Sequence, residues 1–360
     1  MALLLNEITW SEPVLPAALD AAWEAELKRR GAPVLEVDRR TAPSRWLREA
    51  AYATTSYLPA ALPERLYRIG NMVTAQENSC RYCYGANRAY MRVLGYSESF
   101  IQQLERDVQL AELDDKERAY IAFCRSLARS RPRPAAAARL ALLDLGYTPA
   151  QISEMAFAIS LGCFYNRVST LMACPPEQKF ERMANGPLRW LLALAMPLMR
   201  TFGRRPAAAA LDHAALAGGR FGVVLAPLAG LPAAGVMKAA LDGAFESGVL
   251  SRSVKALMFA VVARTLGCPH CEAAATRLLL EEGLSQAEID SALATLRCAR
   301  LAQREAGLLA WVRDTVYYEP SAIQQKTRVL GAELGGAALL EAIGVAALAN
   351  GTVRLAMLLE

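Results

Sequence analysis

Two Cys-x-x-Cys motifs, Cys80-Arg-Tyr-Cys83 and Cys268-Pro-His-Cys271, stand 188 positions apart in a chain of 360 residues, and much of the surrounding sequence keeps the same offset. It pairs Gly95 with Gly283, Ser97 with Ser285, Leu113 with Leu301, Glu117 with Glu305 and Arg125 with Arg313. Further on it drifts by one residue, pairing Glu154 with Glu341 and Arg167 with Arg354. Self-similarity at a fixed spacing is the mark of a repeated structural unit. The chain therefore reads as an N-terminal extension over 1–42, a first repeat over 43–185, a join over 186–230 and a second repeat over 231–360. Helix breakers crowd the join, from Asn185-Gly186-Pro187 to Gly203-Arg-Arg-Pro206.

Each repeat reads as helical. Ser79 and Gly267 are expected to cap the helices that carry the motifs, with Pro269 tolerated in a first turn and Gly95 and Gly283 closing them. Apolar spacing predicts further helices over 113–129, 149–172, 251–266, 286–313 and 337–359. Only Val34 to Val37 and Phe221 to Leu225 have weak strand character. The expected fold is all-α.

Composition narrows the function classes. At 54% hydrophobic and 21% charged residues the chain can build sizeable cores. Its net charge of +5 is scattered and its aromatic content is 7%, which gives no platform for nucleic acid. Two histidines, His213 and His270, rule out His-rich metal centres, and neither a metal nor another cofactor is expected. Eight cysteines behind a start without a secretory pattern suit thiols in a reducing, cytoplasmic setting. Residues 221–237 carry no charge but contain Gly222, Pro227, Gly230, Pro232 and Gly235; residues 190–199 contain Pro197. Both read as core or subunit contacts rather than transmembrane spans. The second, flanked by Arg189, Arg200, Arg204 and Arg205, has peripheral membrane contact as its alternative.

A Cys-x-x-Cys at a helix N-terminus has a chemical logic. Unpaired backbone N–H groups and the positive end of the helix dipole favour a thiolate, and the spacing puts both sulfurs on one face, within reach of a disulfide. Redox-active dithiols are one reading; halves of a zinc centre and inert core thiols are the others. Cys124, Cys163, Cys174 and Cys298 are isolated and read as packing residues.

The succession of helix, Cys-x-x-Cys, long helix, acid-capped helix and closing helix resembles the alkylhydroperoxidase D-like and carboxymuconolactone decarboxylase family. Over 43–180 the likeness rests on Asn78-Ser-Cys-Arg-Tyr-Cys83, Leu94-Gly95-Tyr96-Ser97, Asp114-Asp-Lys-Glu117 and Glu154 through Arg167. Over 231–360 it rests on Leu266-Gly267-Cys268-Pro-His-Cys271 and Glu305. The resemblance implies helical subunits that associate with one another, here as two tandem copies forming an intrachain pseudo-dimer, with a homo-oligomer expected. It also implies a proton relay of one Glu and two His around the cysteines, with the second Cys attacking peroxide. The corresponding positions here are Arg68, Tyr82 and Asn87 in the first half and Ala256, His270 and Ala275 in the second, so neither half has the full relay.

Without that relay the helix terminus favours ionisation of the first cysteine, so Cys80 and Cys268 become the expected attackers. Cys268, Cys271 and His270 form the better candidate site, His270 serving as local base; Cys80 and Cys83 form the second. Arg68 and Arg81 would favour a Cys80 thiolate, with Glu77 opposing, and Arg68, Tyr82 and Asn87 are the candidate substrate contacts. The expected activity is reduction of a hydroperoxide or disulfide, with a thiol protein as reductant. The alternatives are non-redox lyase or tailoring chemistry on a small acid in an inter-helix pocket, or a non-catalytic scaffold. Glu246 and Glu272 are the carboxylates that could replace the missing relay.

Overall fold

The computed structural model describes residues 2–18, 20–107, 111–134, 136–186, 190, 194 and 209–359. Most of the apolar stretch 190–199 lies outside them. The described residues form helices and connecting turns, with no strand among them.

The extension carries α1 (Ala21–Arg29) and α2 (Glu36–Thr41). There follow α3 (Arg45–Ser56), α4 (Glu64–Glu77), α5 (Arg81–Val93), α6 (Glu98–Arg106), α7 (Asp115–Arg129), α8 (Ala136–Asp144), α9 (Pro149–Leu171) and α10 (Gln178–Asn185). Beyond the undescribed stretch come α11 (His213–Ala217), α12 (Gly222–Leu225), α13 (Pro232–Glu246), α14 (Arg252–Leu266), α15 (Pro269–Glu281), α16 (Gln286–Thr295), α17 (Leu308–Asp314), α18 (Pro320–Leu334) and α19 (Gly336–Leu355).

The succession α3 to α9 recurs as α13 to α19, and three of the helix starts keep the 188-residue offset: 64 and 252, 81 and 269, 98 and 286. The capping chemistry recurs too. Ser97 and Ser285 each accept from the N–H three residues on, and Glu117 and Glu305 each reach back to the N–H that opens their turn. The halves differ where 286–313 was expected to be one helix. Leu296, at φ 56°, closes α16, and a 3-10 turn over Gln303–Glu305 precedes α17. The weak strand candidates are also corrected: Glu36 and Val37 open α2, and Phe221, at φ 56°, caps the short α12.

The core lies between α9 and α19, which pack along each other at the centre of the molecule. Both are apolar around almost their whole circumference, as helices buried on all sides must be. Gly351 permits the approach, since a Cβ there would stand 2.8 Å from the Ser160 carbonyl oxygen. The described helix Gly336–Leu359 is long and apolar enough to cross a membrane, but 94% of its most apolar window is buried against the rest of the chain.

Two buried arginines tie the halves together reciprocally. Arg167 of α9 donates from Nε to the Thr315 carbonyl and from Nη2 to the Val316 carbonyl, both at 3.0 Å. Arg354 of α19 donates from Nε to the Ala128 carbonyl at 3.1 Å. Ala128 and Val316 stand 188 positions apart, so each arginine reaches the same place in the opposite half. Burial, with the Arg167 charge adding to it, pushes the Arg354 guanidinium down to about 9.

The extension is stitched onto both halves. Val14 N–H donates to Met172 O at 2.9 Å, Ser11 Oγ donates to Gln324 of α18 at 2.8 Å, and Trp23 and Leu27 form a small core with Ala42.

Candidate active site

Both motifs sit at helix N-termini, but the cap is the first cysteine itself. Cys80 caps α5 and Cys268 caps α15, each Sγ accepting from the backbone N–H of the second cysteine, at 3.3 and 3.4 Å. This corrects the expected caps. Ser79 lies at φ 48° in the preceding turn, and Gly267, at φ 67°, ends α14. Only a residue tolerant of the left-handed region closes a helix so abruptly before the next begins, which is why glycine suits position 267.

All four motif sulfurs belong to buried, reduced residues. In the second half the Cys271 side chain, its backbone N–H and the guanidinium of Arg133 outweigh burial and bring the Cys268 thiol down to about 6. Arg133 comes from the loop between α7 and α8 and also donates to Leu266 O at 3.3 Å. Cys268 is 1% exposed, yet its neighbours Gly267, Pro269 and His270 are all exposed, so the sulfur lies one residue beneath the surface.

The first half encloses its pair more deeply. Burial raises the Cys80 thiol, but hydrogen bonds from Cys83, Thr170 and the Tyr82 backbone outweigh it and hold Cys80 below the ordinary value. Burial, followed by Cys80, drives Cys83 well above it. Cys83 Sγ lies 3.6 Å from Ser169 Oγ. Over Cys80 lies a void of about 10 Å³, roofed by Ile8, Thr9 and Trp10 and flanked by Pro320 and Gln324. That is space for about one water molecule and no substrate.

The remaining predicted site residues do not gather on the sulfurs. His270 is exposed. Tyr82 is buried, but its hydroxyl donates to Glu177 at 2.8 Å. Asn87 donates along its own helix to Cys83 O at 2.9 Å. Arg68 pairs with Glu64 at 3.3 Å and lies over the Tyr67 and Tyr90 rings. Arg81 is held by Glu181 through two bonds of 3.0 and 3.1 Å, and Glu77 takes up Arg125 and Arg129. Glu272 pairs with Arg264 at 2.6 Å, and Glu246 lies away from the cysteines on the cleft described below. Cys124, Cys163 and Cys174 are buried as expected of packing residues, Cys298 only partly; His213 is exposed at the start of α11. Among the described residues no three His, Cys, Asp or Glu side chains converge as a metal cage.

Sequence reasoning missed Arg133, Ser169 and Thr170. A signal for the first existed: Arg131-Pro-Arg-Pro134 is a stiffened, doubly basic loop directly after α7.

A separate cleft of about 870 Å³ opens between α3 and α13, the corresponding helices of the two halves. Trp46 and Glu341 lie at its floor, and no cysteine lines it. Trp46 Nε1 donates to Glu341 Oε2 at 2.7 Å, while Lys255 Nζ sits 2.8 Å from Glu341 Oε1 and donates to Ala244 O and Ser247 O, both at 2.6 Å.

Fold and site together define an all-α protein with a helix-capping dithiol in each half. Residues 232–314, from the start of α13 to the end of α17, match the model of the carboxymuconolactone decarboxylase family, and the matched stretch includes Cys268, His270 and Cys271. The match falls on the second half. No curated protein and no solved structure matches the chain.

Proposed function

We propose that the protein is a thiol–disulfide or hydroperoxide-reducing oxidoreductase whose working pair is Cys268 and Cys271, with Cys268 attacking first. The observation that carries this reading is the Cys268 sulfur, lowered to about 6 at a helix N-terminus and one residue below the surface. At neutral pH it is mostly thiolate, the nucleophilic form. Attack on a hydroperoxide forms an S–O bond, breaks the O–O bond and releases the alcohol once its oxygen takes a proton, leaving Cys268 as a sulfenic acid. Cys271 then attacks that sulfur, forming the disulfide and expelling water. With a disulfide substrate, Cys268 instead forms a mixed disulfide, and Cys271 resolves it with release of the second thiol. A dithiol protein is the reductant class that would return the pair to its reduced state, and a cytoplasmic setting suits that cycle.

In this reading the two halves form the pseudo-dimer within one chain. The recurring helix order and the reciprocal arginines support it, because contact of the same surface with itself is what a two-fold interface requires.

The test is to oxidise the native chain with stoichiometric hydroperoxide, map disulfides by mass spectrometry, and reduce with a dithiol. A Cys268–Cys271 disulfide that forms and reverses, and is lost in Cys268→Ser, is the expected result. Thiols in that peptide that stay unchanged throughout would remove the redox reading. A second reading, non-redox chemistry on a small acid, is favoured by the cysteine-free cleft between α3 and α13, whose volume suits a small molecule. Turnover that survives Cys268→Ser would select it.

A further inference from the structure

We propose that Arg133, carried by the first half, completes the second half's thiol site by donating to Cys268 Sγ, so that the reactive pair is built from both halves. The proposal rests on Cys268 being the working thiol, as argued above.

The geometry begins with the loop after α7. Ser130 lies in the left-handed region at φ 48°, and its carbonyl accepts from the Tyr317 hydroxyl at 2.8 Å. The Arg131 guanidinium lies over the Tyr317 ring, 5.4 Å from its centre. Two contacts to one residue of the second half thus fix the loop. Arg133 follows two positions later, donating to Leu266 O, two residues before Cys268 and beside the cap of α15, and its charge helps lower the Cys268 thiol. The guanidinium is thereby anchored on a carbonyl at the C-terminal end of α14, next to the N-terminal end of α15, where a planar fork of donors has a further N–H to offer the sulfur.

On α15, Glu272 is taken by Arg264, and His270 is exposed. On α16, Glu288 is bonded to Ser285 and Arg300, and Asp290 to Gln286. α12, which also packs on α15, carries no charged residue. Cys271 supplies the remaining donors.

The first half shows what the site is without this arginine. The position 188 residues beyond Arg133 is Ser321, at the start of α18, and the start of α18 does approach the opposite cysteine, Pro320 flanking the void over Cys80. The crossing is thus repeated but the charge is not: Ser321 is bonded to Glu319 at 2.7 Å, and Cys80 faces Pro320 and Gln324 under the N-terminal segment. One half offers a shallow thiol beside an arginine and the other a roofed thiol without one.

The experiment measures alkylation of the full-length native chain by iodoacetamide as a function of pH, following the Cys268 peptide by mass spectrometry, in wild type, Arg133→Met and Arg133→Lys. The wild-type profile should have its midpoint near 6. Arg133→Met should raise it by about one unit or more, and Arg133→Lys, which keeps the charge but not the fork, by a smaller amount. The profile of the Cys80 peptide should not move. A merely structural role would change the amplitude or the unfolding temperature without moving the midpoint. If Arg133→Met loses its fold, Arg133→Lys still decides, because a midpoint equal to wild type overturns the proposal. Disulfide formation is scored separately in the same samples. A midpoint that stays put while Cys268–Cys271 still oxidises defeats the role of Arg133 alone; a midpoint that moves without any disulfide defeats the redox reading alone.

Discussion

Removing one partner of the buried pair Lys255–Glu341 should be far more costly than removing both charges. Lys255 is fully buried and Glu341 is 1% exposed, and the ammonium satisfies Ala244 O, Ser247 O and the carboxylate at once. Lys255→Met leaves a buried carboxylate with Trp46 Nε1 as its remaining donor and strips two carbonyls of theirs, a loss of about 4 kcal/mol. Glu341→Gln leaves Lys255 its two carbonyls and Trp46 an acceptor, a loss of about 2 kcal/mol. The double variant carries no uncompensated charge, so it should be more stable than the sum of the singles by about 2 kcal/mol. Urea unfolding measures this, with circular dichroism and tryptophan fluorescence required to share a midpoint before the free energies are compared. Because Trp46 belongs to the first half, Glu341→Gln should also shift its emission. Single variants within about 1 kcal/mol of wild type, or strictly additive ones, would refute the reasoning, since a solvated pair behaves in that way.

Two further predictions follow from the cysteine sites. The Cys268 thiol, normally near 9, is lowered to about 6 in the fold, so its contribution to stability is complete above the unfolded value and is lost as pH falls through the folded one. The stability advantage of wild type over Cys268→Ser should therefore grow by about 2 kcal/mol between about pH 5 and about pH 8 in chemical denaturation, and a flat difference would count against the lowered thiol. Deleting residues 2–12 removes the roof over Cys80, so its labelling by a small thiol reagent should rise at least about tenfold while that of Cys268 stays constant. Equal Cys80 labelling in both chains would show that the segment is no cover.

The sequence offset located both dithiol helices to within a residue at each end because periodicity and caps are local signals, and Ser97 with Ser285 kept both. It missed the cap at Cys80 and Cys268, since a thiol seldom takes the place of a hydroxyl or carboxylate there. The outward turn of His270 was legible in principle: Cys268 and Cys271 share the buried face of the first turn, so position 270 must point elsewhere. At the matching position Tyr82 is nevertheless buried, because α10 and the residue before it bring Glu177 and Arg81's partner Glu181 over that end of α5. Arg133 was hidden for a different reason. Its partner belongs to the other half, and no local pattern encodes a contact made only when two halves dock. The break at Leu296 was likewise invisible to apolar spacing, which continues through it.

The reciprocal arginines have a consequence for how such a chain can change. Arg167 and Arg354 grip carbonyls of the opposite half, and a carbonyl is the same whatever side chain its residue bears. A junction that reads main chain is indifferent to substitution on the surface it reads. Each half is then free to drift in sequence while the mating persists, and one dithiol can be sealed and the other sharpened without the two having to be redesigned together.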